Sequence, residues 1–163
     1  MKKKLMVVIF CSLTLVIFVT TIYAAQAPNN FNGIKYGANI KNLSGFTLKI
    51  RNGNVSIYNR EDDENNFKGV RLRNPIWYIF NDDKFAGVFL TAGANDFDAM
   101  LLYLEKTYGQ ANDVYKPQSR EYAWMLDSHL GINLSYDKNG WSVFHITYMD
   151  MKYAKNMNMR GML

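Results

Sequence analysis

The chain has 163 residues, of which 19 are lysine or arginine, 14 are aspartate or glutamate, and one is cysteine. This length suffices for one domain with its own core and leaves no room for two. Lysines occupy positions 2–4, and without them 16 basic residues face 14 acidic ones, a net charge of about +2. Such a charge gives no electrostatic footprint for nucleic acid, so we exclude that class of partner.

The first 24 residues are predicted to form a secretory signal peptide. The lysines are followed by an apolar run from Leu5 to about Val19 and then by Ala24. A positive start, an apolar run and a small-residue exit are the three parts of such a signal. We expect cleavage after Ala24 and a periplasmic or secreted mature protein.

Two alternatives concern the same segment. Residues 5–25 approach the minimum length of a spanning helix, so an uncleaved signal would anchor the protein in the inner membrane. Cys11 does not fit a lipoprotein signal, because Phe10 precedes it where a small residue is needed. Since Cys11 leaves with the signal peptide, the mature domain has no thiol for a disulfide, a metal or nucleophilic chemistry.

The mature chain begins with a segment, residues 25–45, whose proline, glycines and asparagines predict mostly irregular structure. A first hairpin is expected at the dipeptide Asn52-Gly53, which suits a two-residue type I′ turn. That turn would pair Ile50 with Val55 and place the apolar side chains of both strands on one face.

A third strand is predicted at 67–73 because apolar and basic residues alternate there. Val70 and Leu72 would face the core, and Arg71 and Arg73 would face the other side. Tyr58 is likewise expected to point away from the core. We take Tyr58, Arg71 and Arg73 as candidate contacts for a protein partner.

A second hairpin is predicted around a two-residue turn at 82–83. This turn pairs Phe80 with Phe85 and Trp77 with Val88. The flanking strands are apolar on both faces. That pattern is typical of central strands, with one face against a helix and the other covered by something else.

A helix is predicted next, with Asn95 as its N-cap and Gly109 as the residue that ends it. Four apolar residues recur at helical spacing and would form one buried stripe. They are Phe97, Leu101, Leu104 and Tyr108.

The chain is then predicted to form three further strands, over 122–126, 132–137 and 141–149. A three-residue loop with a left-handed Gly140 pairs Leu134 with Phe144 and sets His145 opposite Asn133. A two-residue Asn-Gly loop would instead pair Leu134 with His145, a poorer match, so we prefer the first register.

Together these elements predict an α+β domain over residues 46–149. About eight strands, in the order ββ-β-ββ-α-βββ, would form a twisted antiparallel sheet packed on one long helix. The alternative is a small closed β-barrel with the helix as a lid.

The sequence holds no specific catalytic or cofactor motif, so we predict a protein that is not an enzyme and needs no cofactor. The adjacent residues 127–129 (Asp-Ser-His) cannot converge as a triad and are predicted to form a turn. The acidic run 61–64 lacks the spacing of a calcium loop and is predicted to be a solvated loop. The alternative is an enzyme or small-ligand carrier with a site assembled from His145, Asp137 and Tyr136.

The C-terminal segment, residues 150–163, is predicted to be a flexible, cationic tail rich in methionine. Thioethers select Cu(I), so a soft-metal site is one hypothesis. Its ligands would be Met149, Met151, Met157, Met159 and His145. Methionine is also a filler at adaptable contact surfaces, so docking onto a partner, a membrane surface or the domain itself is the other interpretation.

Short motifs resemble those of small exported proteins of the proteobacterial envelope. They are the opening Phe-x-Gly-Ile-x-Tyr-Gly at 31–37, Tyr-x-Phe at 78–80, Tyr-Gly at 108–109 and the later Trp124. The helix and the strands after it also resemble small helper lipoproteins of outer-membrane protein assembly, although the lipid-bearing cysteine is missing. The resemblance implies an envelope compartment and a fold type, and it transfers no functional residue.

From these observations we expect a non-enzymatic protein-binding module of the periplasm, such as an envelope accessory, an inhibitor or an immunity-type protein. Its partner would be another envelope or secreted protein. Contact with the membrane would arise only through an uncleaved signal. The alternatives are a small-ligand or Cu(I)-binding protein, or an enzyme whose site leaves no motif.

Overall fold

The structure is a computed structural model that describes residues 27–113, 119–137 and 142–157. The strands are β1 Asn30–Phe31, β2 Ile34–Lys35, β3 Phe46–Asn52, β4 Val55–Arg60, β5 Asn66–Phe67, β6 Val70–Arg71, β7 Trp77–Asn81, β8 Lys84–Gly93, β9 Asn112–Asp113, β10 Ser119–Leu126, β11 Leu130–Asp137 and β12 Val143–Asp150. The helices are α1 Phe97–Tyr108 and α2 Met151–Ala154, with 3-10 turns at Ile40–Asn42 and Ala94–Asp96.

The main sheet is antiparallel and has the strand order β3-β4-β7-β8-β12-β11-β10-β9. The pairs β1–β2 and β5–β6 form two separate small ribbons. The α+β class and the antiparallel sheet are thus confirmed, whereas the order of the elements along the chain differs from the predicted one. The predicted third strand, for example, is the β5–β6 ribbon outside the main sheet. Because β3 and β9 lie at opposite edges and do not pair, the sheet is open, and the barrel alternative is wrong.

The larger core lies between α1 and one face of the sheet, which we call the helix face. Helix α1 buries Phe97, Met100 and Leu104. Phe97 meets Phe144 of β12 edge-on, with ring centroids 5.6 Å apart. Phe31 of the β1–β2 ribbon enters the same core. The N-terminal segment, predicted to be mostly irregular, therefore contributes buried apolar surface to the domain.

The end of α1 is as predicted, and its start is not. Gly109 adopts a φ of 86°, and its N–H donates to the carbonyl of Glu105. At the other end, Asn95 lies inside the 3-10 turn instead of capping the helix. Asp96 occupies the cap position and makes no capping hydrogen bond through its side chain.

The register of the first hairpin differs from the prediction. The two-residue loop is Gly53-Asn54, and Ile50 lies opposite Ile57 instead of Val55. Gly53 takes a positive φ of 58° at the first loop position, where a type II′ turn requires glycine. A bulge between Leu48 and Ile50 then shifts the pairing once more.

The second hairpin combines a correct turn with an unforeseen bulge. Asp82 and Asp83 have φ values of 46° and 61°, and Phe80 pairs with Phe85 as predicted. A shift between Ile79 and Phe80 sets Trp77 opposite Phe89 instead of Val88. Strands β7 and β8 lie in the interior of the sheet, as their apolar pattern predicts.

Both predicted registers of the last hairpin are wrong. Leu134 pairs with Ile146, and His145 lies opposite Ser135 instead of Asn133. The reason is a connection between β11 and β12 that is longer than either predicted loop. Residues 138–141 of that connection lie outside the described residues.

The second face of the sheet, which we call the open face, is covered at one end by residues 151–157, the C-terminal strap. Asn81 donates hydrogen bonds through Nδ2 to the carbonyls of Tyr153 (2.8 Å) and Lys155 (3.1 Å). Met157 packs against a fully buried cluster of three side chains. The cluster consists of Val55, Ile57 and Ile79. This part of the predicted flexible tail therefore belongs to the folded domain.

The predicted signal peptide, and with it the alternative anchor at 5–25, lies outside the described residues. Within the described ranges, no helix is long and apolar enough to cross a membrane.

Candidate functional site

A groove of about 850 Å³ lies on the open face, beyond the end of the strap. It is open to solvent. Strands β7, β8 and β12 form its floor, and the segment before β7 forms one wall. Its lining residues are Arg73, Asn74, Trp77, Phe89, Thr91, Ser142, Val143 and His145.

The floor of the groove is aromatic. Phe89 and Thr91 point to the open face because Val88 and Leu90, their neighbours on β8, point into the core. The bulge in β7–β8 sets Trp77 opposite Phe89, with ring centroids 5.9 Å apart. Cross-strand neighbours on one face are close enough to interact, so the bulge itself assembles this part of the floor.

His145 continues the aromatic floor on β12. Its ring stacks on Phe89, with centroids 4.9 Å apart and an interplanar angle of 24°. Nδ1 is hydrogen-bonded to Thr91 Oγ1 at 3.1 Å, which fixes the ring orientation. Burial lowers the pKa of His145 below its usual value, so the ring is neutral at pH 7. Its Nε2 makes no hydrogen bond to any described residue.

Arg73 supplies the charge of the groove. Its backbone N–H donates to the carbonyl of Thr91 at 2.8 Å, which fixes the segment before β7 to β8. The guanidinium lies against Gly93, where an added Cβ would be 3.4 Å from both Nε and Nη2. The side chain makes no hydrogen bond or ion pair with the part of the chain that the structure describes. No carboxylate is among the lining residues that the structure describes.

The composition of the groove is that of a binding site. A largely apolar lining with a few polar groups is typical of binding sites, and the volume lies in their usual range. Thr91 and His145 form a hydroxyl–imidazole pair, but the described lining offers no carboxylate to orient the imidazole from its other nitrogen. The groove can therefore stack a planar or apolar group and pair an anion.

Of the three predicted partner contacts, only Arg73 lies in the groove. Arg71 is exposed on β6 but does not line it. Tyr58 does not point away from the core, and this prediction is wrong. It is 8 % exposed in the larger core, and Arg51 donates a hydrogen bond to its hydroxyl. The reason is that β4 is covered on both faces, with Ile57 in the smaller cluster and Tyr58 in the larger one.

The alternative catalytic set is not brought together. Tyr136 packs against Phe97 on the helix face, with ring centroids 5.7 Å apart, whereas His145 lies on the open face. The side chain of Asp137 lies outside the described residues. The turn predicted at 127–129 is present, with positive φ at Asp127 and Ser128.

The methionines predicted as copper ligands do not all lie together. Met149 and Met157 pack against the same small apolar cluster, whereas Met151 is 51 % exposed. His145 is four residues from Met149 along a strand, which corresponds to about 13 Å. Met159 lies outside the described residues. Within the described ranges, no group of three or more histidine, cysteine or acidic side chains is placed to hold a metal.

The acidic run at 61–64 departs from a solvated loop at one residue, Asp63. The Tyr78 hydroxyl donates to Asp63 Oδ1 at 2.9 Å, and Asn32 Nδ2 donates to that hydroxyl at 3.2 Å. Oδ2 is buried and makes no hydrogen bond in the described structure. Burial raises the pKa of Asp63 above its usual value.

Sequence reasoning missed Trp77, Phe89 and Thr91 as site residues. The apolar pattern on both faces of β7 and β8 predicted that both faces are covered. The strap covers one part of the open face and leaves Trp77 and Phe89 only partly buried. The sequence of a strand does not show which part of a sheet face a distant segment covers.

Comparison with known proteins adds no relative. No family model matches the chain, and no curated protein and no solved structure is significantly similar to it.

Proposed function

We propose that this chain is a non-enzymatic binding protein of the bacterial cell envelope, and that the groove on the open face receives a partner protein. One observation carries the proposal. An aromatic floor of Trp77, Phe89 and His145 lies beside a guanidinium, that of Arg73, with no partner among the described residues. Tryptophan and arginine are enriched among the residues that dominate the energy of protein interfaces.

The open form of the groove favours a protein partner over a free small molecule. Pockets for small ligands bury most of the ligand surface, which requires walls on several sides. Here the floor is a sheet face, and the walls come from the segment of Arg73 and Asn74 and from residues 142–143. A protein partner brings its own surface to close such a groove.

The compartment part of the proposal rests on the leader at residues 1–24. We expect the mature chain to begin at residue 25 and to be recovered from the periplasm or the medium. Cell fractionation followed by N-terminal sequencing measures both. Recovery of the uncleaved chain from the inner membrane would support the anchor at 5–25 instead. Recovery of the full-length chain in the cytosol would contradict export.

The binding part is tested by affinity capture from envelope extract with purified protein and three variants. Trp77→Ala and Arg73→Glu remove the floor and reverse the charge of the groove. Arg71→Glu makes the same charge change at an exposed position outside it. We expect a stoichiometric protein that the wild type and Arg71→Glu retain and that the other two variants lose.

Folding of each variant is checked first by circular dichroism, so that a lost partner reports on the groove. Capture that is equal for all four proteins would show that the groove is not the contact surface. A low-molecular-weight ligand retained through native mass spectrometry, with no captured protein, would favour the small-ligand alternative.

A further inference from the structure

We infer that the groove recognises a carboxylate carried close to an aromatic ring, as in an acidic and aromatic stretch of a partner polypeptide. This inference rests on the proposed function and adds the chemistry of the occupant. It follows from three properties of the lining, namely the placement of Arg73, the stacked floor, and the absence of acidic side chains among the described lining residues.

The guanidinium of Arg73 lies at the groove and has no partner among the described residues. The backbone bond to Thr91 fixes the Cα of Arg73 to β8, and the guanidinium lies beside Gly93. A planar guanidinium with no internal partner presents parallel N–H groups that match the two oxygens of a carboxylate.

The stacked floor favours an aromatic ring next to the carboxylate of the occupant. Trp77, Phe89 and His145 form a continuous row in which each ring contacts the next, at 5.9 and 4.9 Å between centroids. A further aromatic ring would extend this row by offset or edge-on stacking, which contributes beyond the area buried. An aliphatic side chain would be stabilised only by the burial of its apolar surface.

The charge of the lining sets the sign of the occupant. Among the described lining residues, Arg73 carries a charge and no acidic residue offsets it. The neutral His145 offers Nε2 at the same surface, which adds a polar contact without adding a charge. A cationic occupant would be repelled, and a neutral one would leave the guanidinium without a partner.

Three small probes of similar shape separate these contributions. They are indole-3-acetate, its neutral analogue indole-3-acetamide, and the cation tryptamine. Each is titrated into the 15N-labelled protein while the indole N–H signal of Trp77, assigned by its loss in Trp77→Phe, is followed by NMR. We expect the acetate to bind at least about tenfold more tightly than the amide, since hydrogen bonds to charged groups are the stronger ones, and tryptamine to bind most weakly.

Two matched variants locate the charge. Arg73→Met should reduce the affinity for indole-3-acetate to that for indole-3-acetamide, because methionine keeps an unbranched apolar chain in place of the aliphatic part of arginine and removes the guanidinium. Arg71→Met should leave both affinities unchanged. Equal binding of the acetate and the amide to the wild type, or an equal effect of both variants, would overturn the inference.

The outcome is separable from that of the proposed function. If the probes show no preference for the carboxylate but capture of a partner still requires Trp77, the binding function stands and the chemistry inferred here is wrong. If the carboxylate preference is present and depends on Arg73 but no protein is captured, the chemistry stands and the protein partner is wrong.

Discussion

Two tyrosine hydroxyls buried in the same core differ in their partners. The Tyr78 hydroxyl donates to Asp63 and accepts from Asn32. Tyr36 stacks on Phe85 with ring centroids 5.3 Å apart, and its hydroxyl is buried without a hydrogen bond in the described structure. Burial raises the pKa of both phenols above the usual value, so both are neutral at pH 7.

This difference predicts opposite effects of removing the two hydroxyls. Tyr78→Phe should lower the free energy of unfolding by about 1–3 kcal/mol, because the Asp63 carboxyl loses its donor. Tyr36→Phe should leave it unchanged or raise it, because a desolvated group without a partner disappears. Urea denaturation of both variants measures the two values. Equal losses would show that the hydroxyl of Tyr36 has a partner in solution.

Asp63 is expected to lower the free energy of unfolding as the pH rises above 3.8. Burial raises its pKa above the ordinary 3.8, so the folded state binds this proton more tightly than the unfolded state. The stability gained from protonation is therefore present below pH 3.8 and is lost as the pH rises through the folded pKa. Asp63→Asn removes this dependence.

We expect the free energy of unfolding of Asp63→Asn, minus that of the wild type, to increase from pH 4 upwards and then to reach a plateau. Denaturation curves between pH 4 and 8 for both proteins measure this difference. A difference that is constant over the range would mean that the pKa of Asp63 is the same in both states. An amount added equally at every pH, on top of the rise, reports only the changed hydrogen bonding of the amide.

At the level of elements, the contact between β8 and β12 depends on a glycine. A Cβ at Gly87 would lie 2.1 Å from the carbonyl oxygen of Tyr148 and 3.0 Å from the Cα of Met149. These are backbone atoms, so the strands themselves would have to separate. Gly131 lies on the other side of Met149, and its nearest neighbour would be 3.8 Å away, an ordinary contact.

Gly87→Ala should therefore destabilise the protein by about 3 kcal/mol or more, at the upper end of the effects of overpacking. Gly131→Ala is the matched control and should change the free energy of unfolding by less than about 0.5 kcal/mol. Chemical denaturation measures both. Similar values for the two variants would contradict the close approach of β8 and β12.

The sequence is informative about elements where one residue decides the conformation. Gly109 ends α1 and the aspartates at 82–83 form the second turn, as their residue types predict. The registers beyond the turns could not be predicted, because the bulges beside Leu48 and Ile79 have no residue that requires them. Each bulge moves the later pairs by one position.

The site was less predictable than the fold for a related reason. The alternation of basic and apolar residues correctly exposes Arg73. Its neighbours in the groove come from β8 and β12, which pair His145 with Thr91 although helix α1 and three other strands separate them in sequence. No local pattern contains that pairing.

For the whole molecule, the C-terminal strap closes the smaller core. Truncation after residue 150 would expose Val55, Ile57 and Ile79 and would remove both carbonyl acceptors of Asn81. Water can then reach the amide of Asn81, so each of the two lost hydrogen bonds removes about 0.5–1.5 kcal/mol. We expect residues 25–150 to unfold at lower urea than residues 25–157, and to bind the dye ANS in the folded state. Equal midpoints would show that the strap is dispensable.

The bulge in β3 has a consequence for how copies of the protein meet one another. Strand β3 is an edge of the main sheet, and the extra residue in the bulge, the exposed Lys49, interrupts its free row of backbone donors and acceptors. Interrupted, charged edges resist the addition of a further strand. This edge therefore resists the strand addition that leads to fibrils. A variant that lacks Lys49 is expected to precipitate at a lower protein concentration than the wild type.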